Sequence, residues 1–243
     1  MDFIIVDNYE EMSKSAAAIF VENVNKKPDT VLGLATGSTP ERFYELLINE
    51  YKENNVSFEN VTSFNLDEYV GISPKNSQSY HYYMNEKLFN HINLPSEQAH
   101  LPEGKTDHLQ EACEEYEQKI NTAGGIDLQL LGIGLNGHIG FNEPGTSFDQ
   151  ETHVVDLAPS TREANARFFD SIDEVPTKAI TMGIKTIMQS KQIVLLISGE
   201  KKADCLYQLV NDPVSEDFPA SILNQHPNVT IIADKAAASK INK

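Results

Sequence analysis

The chain has 243 residues, 40% of them hydrophobic, which is enough for a substantial core in one large domain or two small ones. Its formal net charge of −17 argues against nucleic-acid binding, which needs a basic surface. The two cysteines lie outside any metal-binding pattern, and the sequence has neither an N-terminal apolar signal segment nor the roughly 18-residue apolar run of a membrane span. We therefore expect a cytoplasmic protein without structural metal.

Apolar runs typical of strands alternate with helical periodicities along the whole chain. Strands are predicted at residues 3–6, 30–35, 61–65, 126–133, 152–157, 178–182, 192–197 and 228–233. Helices are predicted at residues 8–27, 40–47, 77–93, 107–123, 160–169 and 200–209. The alternation indicates an α/β fold with a parallel sheet covered by helices on both faces. No linker or repeat divides the chain, so we expect a single domain over residues 1–243, whose strand order the sequence does not reveal.

The second strand runs into a small polar loop, Thr36, Gly37, Ser38 and Thr39, followed by Pro40 in the first turn of a helix. Free backbone N–H groups and the helix dipole make such a helix start an anion site, and the hydroxyl groups add donors. The loop is not a Walker motif. It also suits an ordinary turn and helix cap, so both interpretations stay open for this stretch alone.

The third strand ends just before Asp67 and Glu68. A carboxylate that is partly removed from water at the carboxyl edge of a sheet can act as a general base. An aspartate in this position is also a common helix or turn cap, which is the structural alternative.

The strand at 126–133 leads into a glycine-rich stretch that contains Asn136, His138 and Glu143. Glycine permits positive φ and close approach of a ligand to the backbone. An imidazole, a carboxylate and an amide beyond the carboxyl end of a strand are typical of an α/β active site. The alternative is a loop whose polar groups only satisfy one another.

A second junction of strand, glycine and helix follows residue 197 and carries Lys202, and the predicted helix at 160–169 carries Arg167. Polar motifs therefore follow four strands, at residues 36–39, 67–68, 136–143 and 198–202. Because the carboxyl ends of parallel strands share one edge of a sheet, we expect these motifs to converge into a functional site.

The segments ATGSTP, NLDEY, GLNGHIGFNEPG and STREANARFFD together resemble the glucosamine-6-phosphate deaminases, in order and spacing, over nearly the whole chain. The resemblance implies a modified Rossmann-like α/β fold. It also implies conversion of glucosamine 6-phosphate and water into fructose 6-phosphate and ammonia, without a redox or metal cofactor. We further expect a mobile lid within residues 145–176.

The resemblance also implies roles for individual residues. Asp67 matches the base that moves the C2 proton, His138 the group that opens the sugar ring, and Glu143 its carboxylate partner. The phosphate is then expected on the loop of residues 36–39, with Arg167 and Lys202 as charge partners. Many relatives have aspartate at Asn136; because an amide cannot act as acid or base, Asn136 is expected to orient His138 by a hydrogen bond.

A second departure concerns regulation. The allosterically activated, hexameric deaminases carry basic residues at the positions of His153 and Val155 and have a longer C-terminal tail. The resemblance therefore points to the short, non-allosteric form, and we expect a monomer or, alternatively, a dimer.

Three other functions are compatible with the fold. A 6-phosphogluconolactonase or a pentose-phosphate isomerase shares it, but GHIGFNEP and NLDEY favour the deaminase. A sugar-phosphate sensor would bind without turnover, and such a protein has no need for the set of Asp67, His138 and Glu143.

Overall fold

The computed structural model describes residues 1–157, 162, 163, 166, 169 and 171–241. Among them, seven strands form a sheet in which every pair is parallel, in the order β1-β10-β9-β6-β2-β3-β5. Numbered along the chain, these strands are β1 (Asp2–Val6), β2 (Val31–Leu34), β3 (Thr62–Asn65), β5 (Ala99–His100), β6 (Leu128–Leu131), β9 (Gln192–Ile197) and β10 (Val229–Asp234). The predicted α/β class with a mainly parallel sheet is confirmed.

A second, smaller sheet was not expected. Its strands, in the order β4-β8-β7, are β4 (Asp67–Tyr69), β8 (Lys178–Thr181) and β7 (His153–Asp156), and both pairs are antiparallel. The strands predicted at 152–157 and 178–182 exist, but their expected place in the parallel sheet is wrong. They pair directly with each other, and β4 pairs with the other side of β8. β4 has only three residues and is too short to leave a periodic signal.

The helices are α1 (Tyr9–Lys26), α2 (Glu41–Lys52), α3 (Tyr80–Lys87), α4 (Leu109–Thr122), α5 (Ile184–Met188) and α6 (Ala203–Asn211). The helix predicted at 77–93 is shorter, because α3 ends at Lys87 and a separate 3-10 turn covers Phe89–His91. The five-residue α5 was not predicted. Most of the helix predicted at 160–169 lies outside the described residues.

The strand order explains why helices cover both faces of the sheet. From β2 the chain crosses through α2 to β3, toward one edge, whereas from β9 it crosses through α6 to β10, toward the other. Since crossovers between parallel strands are right-handed, α2 and α6 lie on opposite faces. Helix α1 packs beside α2, with Phe20 and Phe43 in an edge-to-face contact at 4.9 Å between ring centroids.

The same order brings the four polar motifs together. Strands β9, β6, β2 and β3 are consecutive neighbours, so the segments that follow their carboxyl ends lie side by side at one edge of the sheet. The chain reverses its direction of travel between β2 and β6, which is the topological switch point where open α/β sheets bind ligands. The expected convergence on one edge is confirmed for these strands.

Candidate active site

The segment that follows β6 joins three polar side chains in a hydrogen-bonded row. His138 Nδ1 lies 2.7 Å from Asn136 Oδ1, and Asn136 Nδ2 donates to Glu143 Oε2 at 2.7 Å. His138 Nδ1 is also 3.6 Å from the same Glu143 oxygen. The imidazole keeps 29% of its side-chain surface exposed, so it remains accessible from the sheet edge.

These contacts assign the protons of the row. A carboxylate only accepts, so the amide of Asn136 must turn its NH2 group toward Glu143. Its carbonyl oxygen therefore faces His138 and can only accept, which places the imidazole proton on Nδ1. The lone pair of the neutral ring is then on Nε2, and the Glu143 carboxylate lies on the Nδ1 side of the ring.

Small residues and buried hydrogen bonds shape the segment around His138. A methyl group on Gly134 would lie 2.2 Å from two atoms of the His138 ring, so only glycine leaves room for the imidazole. Farther along, the buried side chain of Asn142 donates to the carbonyl groups of Ile139 and Met182, each at 2.9 Å. These bonds fix the loop to the end of β8.

Asp67 is the first residue of β4 and is only 6% exposed. Burial, and then the neighbouring charge of Glu68, raises the pKa of Asp67 to about 8. A methyl group on Gly140 would lie 3.6 Å from Asp67 Oδ2, which locates this carboxyl beside the glycine-rich segment. Its altered pKa and its place beside His138's loop are typical of a functional carboxylate.

Glu68, the neighbour of Asp67, has a structural position. Its carboxylate accepts from the backbone N–H groups of Tyr80 and His81, at 3.0 and 2.9 Å, and contacts His81 Nδ1 at 2.8 Å. Glu68 therefore caps the start of α3. The two carboxylates of the NLDEY segment thus differ: one caps a helix, the other does not.

Two tyrosines hold the loop of residues 36–39 by hydrogen bonds to its carbonyl groups. Tyr83 donates to Gly37 O at 2.6 Å, and Tyr9 donates to Thr39 O at 3.0 Å and contacts Ser38 O at 3.2 Å. Because C=O and N–H point in opposite directions across a trans peptide, the N–H groups of Ser38 and Thr39 face away from these tyrosines. Gly37 has φ +94°, a conformation that glycine adopts readily.

Tyr80 belongs to an aromatic group close to Asp67. Its hydroxyl group donates to the hydroxyl of Tyr69 at 3.3 Å. Burial first, and then nearby charges that include Asp67, raises the pKa of the Tyr80 phenol. Its ring also stacks on Phe141, with an interplanar angle of 13°. Tyr69, Tyr80 and Phe141 therefore form one aromatic group.

Lys202 lies in the turn after β9, and its Nζ donates to the carbonyl oxygen of Ile133 at the end of β6. Burial lowers the pKa of this ammonium group. The ammonium group of Lys202 is thus held at the end of β6, the strand that neighbours β2 and its polar loop. Arg167, the other predicted charge partner, lies outside the described residues.

The sequence did not indicate the tyrosines behind the loop. Tyr83 belongs to an aromatic run that fits ordinary packing, and Tyr9 is distant in the chain from the carbonyl groups it contacts. The spacing of Tyr80 and Tyr83 on one face of α3 is the signal that could have identified a shared role.

Within the described residues, no group of three or more histidine, cysteine, aspartate or glutamate side chains is placed to hold a metal ion. No helix in this part of the chain is long and apolar enough to cross a membrane.

These features define an α/β protein with a cluster of titratable side chains at the switch point of its sheet. The family model of glucosamine-6-phosphate isomerases and 6-phosphogluconolactonases matches residues 7–232. A glucosamine-6-phosphate deaminase of Shouchella clausii is 58% identical over 98% of this chain and 97% of its own, and one of Oceanobacillus iheyensis is 57% identical over 100% and 97%. The chain therefore belongs to the glucosamine-6-phosphate isomerase/6-phosphogluconolactonase family.

Solved structures agree with this placement. A monomeric glucosamine-6-phosphate deaminase superposes with a TM-score of 0.97 at 52% identity, covering 99% of this chain and 100% of the other. A 6-phosphogluconolactonase from Trypanosoma cruzi superposes at 0.81 with 20% identity, covering 100% and 97%. The lactonase, at 20% identity, shows only that the fold is shared. The likeness to the deaminase confirms the modified Rossmann-like fold that the sequence predicted.

Proposed function

We propose that this chain is a glucosamine-6-phosphate deaminase, which converts glucosamine 6-phosphate and water into fructose 6-phosphate and ammonia. The observation that carries the proposal is the hydrogen-bonded row of His138, Asn136 and Glu143, together with the buried carboxyl of Asp67 beside Gly140 of the same segment. These residues supply an imidazole and a carboxyl group for proton transfer at one sheet edge. The deaminases at 57–58% identity over nearly the full chain support the same reaction.

Ring opening is assigned to His138. The row places the lone pair on Nε2, which can take the proton of the O1 hydroxyl and return it to the ring oxygen as the C1–O5 bond breaks. Glu143 stabilises the transient imidazolium from its position 3.6 Å from Nδ1, and Asn136 holds the ring in the required tautomer. Asn136 thus acts in orientation, without gaining or losing a proton.

The proton transfer at C2 is assigned to Asp67. Burial keeps the pKa of its carboxyl near 8, so the group binds a proton strongly and can take it from C2 and deliver it to C1. The cationic amino group of the substrate favours the ionised carboxylate that must start this step. Proton transfers, addition of water at C2 and departure of ammonia complete the reaction, so no step needs a redox or metal cofactor.

The phosphate group is assigned to the loop of Thr36, Gly37, Ser38 and Thr39, at the start of α2. The N–H groups of Ser38 and Thr39, which face away from the supporting tyrosines, are suitable donors for an anion. Lys202 supplies a positive charge from the neighbouring edge of β6. Arg167 remains a predicted second cation.

The decisive experiment measures ammonia and fructose 6-phosphate released from glucosamine 6-phosphate by the purified protein. Both products should appear in equal amounts, and His138→Gln and Asp67→Asn should each remove most of the release. The same preparations should be offered 6-phosphogluconolactone. Hydrolysis of the lactone without ammonia release would identify a lactonase, and binding of the amino sugar without any product would identify a sensor.

We also infer that the protein is a monomer, which a relative described as monomeric at 52% identity supports. Three further expectations stay predictions: a cytoplasmic location, a single domain over residues 1–243, and a mobile lid within 145–176. Part of that lid range lies outside the described residues.

A further inference from the structure

Asp234, the last residue of β10, is a buried carboxylate with no part in the proposed reaction. It is only 4% exposed, and within the described residues no lysine or arginine forms an ion pair with it. Its oxygens instead accept hydrogen bonds from Ser198 Oγ at 2.5 Å, from Gly199 N at 3.0 and 3.1 Å, and from Ala237 N at 2.8 Å. A buried charge is tolerated when it is hydrogen-bonded in this way.

Two of these donors form the turn by which the chain leaves β9. Gly199 has φ +91°, and its N–H group is shared between both oxygens of Asp234, so the peptide at this point has a defined orientation. The next turn starts on the same residue, since Lys202 N donates to Gly199 O at 2.9 Å. The carboxylate of Asp234 therefore determines where the turn that carries Lys202 begins.

From this turn the Lys202 side chain crosses to the neighbouring strand and donates to Ile133 O at the end of β6. Because the Lys202 side chain is partly buried, it has little freedom to change conformation and compensate for a displaced backbone. A shift of the Ser198–Gly199 turn would therefore move the ammonium group away from the sheet edge.

We propose that Asp234 is a positioning residue that acts through Ser198 and Gly199 to hold Lys202 where it binds the phosphate group of the substrate. The inference rests on the proposed function, in which β10 itself contributes no group that touches the substrate. Loss of Asp234 should weaken phosphate binding while the proton-transfer groups keep their places.

The main variant is Asp234→Ala. The dissociation constant of inorganic phosphate, measured by calorimetry, and the KM for glucosamine 6-phosphate should each rise about fivefold or more, because the turn loses its buried acceptors, while kcat changes little. Asp234→Asn keeps one oxygen for Gly199 and Ala237, and its NH2 group can donate to Ser198, so it should recover most of the lost affinity. Equal losses in both variants would overturn a positioning role.

Asp7→Ala is a matched control. Asp7 follows β1, is 69% exposed and pairs with Lys235, the residue next to Asp234. Its removal deletes the same charge at the same sheet edge without touching the turn, so phosphate affinity should stay unchanged. A loss comparable to that of Asp234→Ala would assign the effect to charge and contradict the inference.

A double-mutant cycle with Lys202→Ala separates positioning from general damage. If Asp234 acts through Lys202, Asp234→Ala should cause no further loss of phosphate affinity in the Lys202→Ala background. Additive losses would overturn the inference and leave the proposed function intact. An unchanged phosphate affinity in Lys202→Ala would overturn both the inference and the assignment of Lys202, whereas ammonia release would still test the reaction separately.

Should Asp234→Ala fail to fold, Ser198→Ala removes one bond to the same carboxylate and should give a smaller loss of phosphate affinity that is likewise non-additive with Lys202→Ala.

Discussion

Gly134 faces the imidazole of His138 so closely that a methyl group on Gly134 would lie 2.2 Å from the ring atoms Cε1 and Nδ1. The position of the histidine therefore depends on the absence of a side chain at Gly134 as much as on the hydrogen bond that His138 donates to Asn136. A ring displaced by even one ångström no longer presents Nε2 at the same point, and proton transfer is sensitive to such distances.

Gly134→Ala should therefore reduce turnover of glucosamine 6-phosphate by about 10²-fold, the scale of a lost general base. The KM should change far less, because the loop of residues 36–39 is untouched. Exchange of the transferable proton of fructose 6-phosphate with deuterated solvent, which starts from the open-chain ketose, should be less affected. A variant with wild-type turnover would show that the imidazole position is not critical.

Asp67→Asn should remove turnover by about 10²-fold or more, because an amide cannot take the C2 proton. Proton exchange with deuterated solvent should disappear together with ammonia release, while binding of inorganic phosphate remains. Exchange at the wild-type rate in this variant would exclude Asp67 as the base.

The same substitution should stabilise the fold at high pH. Burial raises the pKa of Asp67 to about 8, above the usual aspartate value of 3.8, so the folded chain binds this proton more tightly than the unfolded chain does. The resulting stabilisation is complete below pH 4 and is lost as the pH rises through 8. Asp67→Asn should therefore gain stability relative to wild type, by on the order of a few kcal/mol, between pH 4 and 9. Denaturant unfolding at both pH values measures the difference, and a gain that is independent of pH would contradict it.

Asp127 should show the opposite dependence. Burial would raise the pKa of its carboxyl, but hydrogen bonds from Lys191, Lys27 and the backbone N–H of Val31 outweigh it and lower the pKa to about 2. Its stabilisation is thus present above pH 4 and lost as the pH falls toward 2. Asp127→Asn should cost about 2 kcal/mol of unfolding free energy at pH 7 and progressively less in acid. An equal cost at pH 7 and pH 2.5 would show that the ion pairs are not its source.

The sequence predicted six of the seven strands of the main sheet and the residues that follow them, because buried strands and glycine-rich loops leave local patterns. It predicted neither the two-residue edge strand β5 of that sheet nor the three-residue β4 of the small sheet, since strands this short leave no periodic signal. Nor could it predict that Tyr9 supports the loop at Thr39 or that Asp234 supports the turn at Gly199, since each pair is brought together only by the order of the strands. The proton arrangement of His138, Asn136 and Glu143 likewise required atomic positions.

The last prediction concerns regulation, for which β7 is the relevant element. The allosteric deaminases that this sequence resembles carry basic residues at the positions of His153 and Val155. Here Val155 packs against the apolar cluster of Tyr69, Phe141 and Leu157. His153 Nδ1 donates to Glu151 O at 2.8 Å, and burial lowers the pKa of its imidazole, so the ring is neutral near pH 7. Neither residue offers the positive charge that a phosphorylated activator needs.

We therefore expect hyperbolic saturation by glucosamine 6-phosphate, unchanged by N-acetylglucosamine 6-phosphate. Activation requires a ligand that binds two states of the protein differently, and a neutral imidazole beside a packed valine provides no such site for a phosphate. Initial rates with and without the acetylated sugar, at pH 7 and again at pH 5.5 where His153 gains charge more readily, measure the effect, and light scattering gives the mass. A sigmoidal curve that the acetylated sugar makes hyperbolic, or the mass of a hexamer, would contradict the prediction. Activation confined to pH 5.5 would instead assign a regulatory charge to His153.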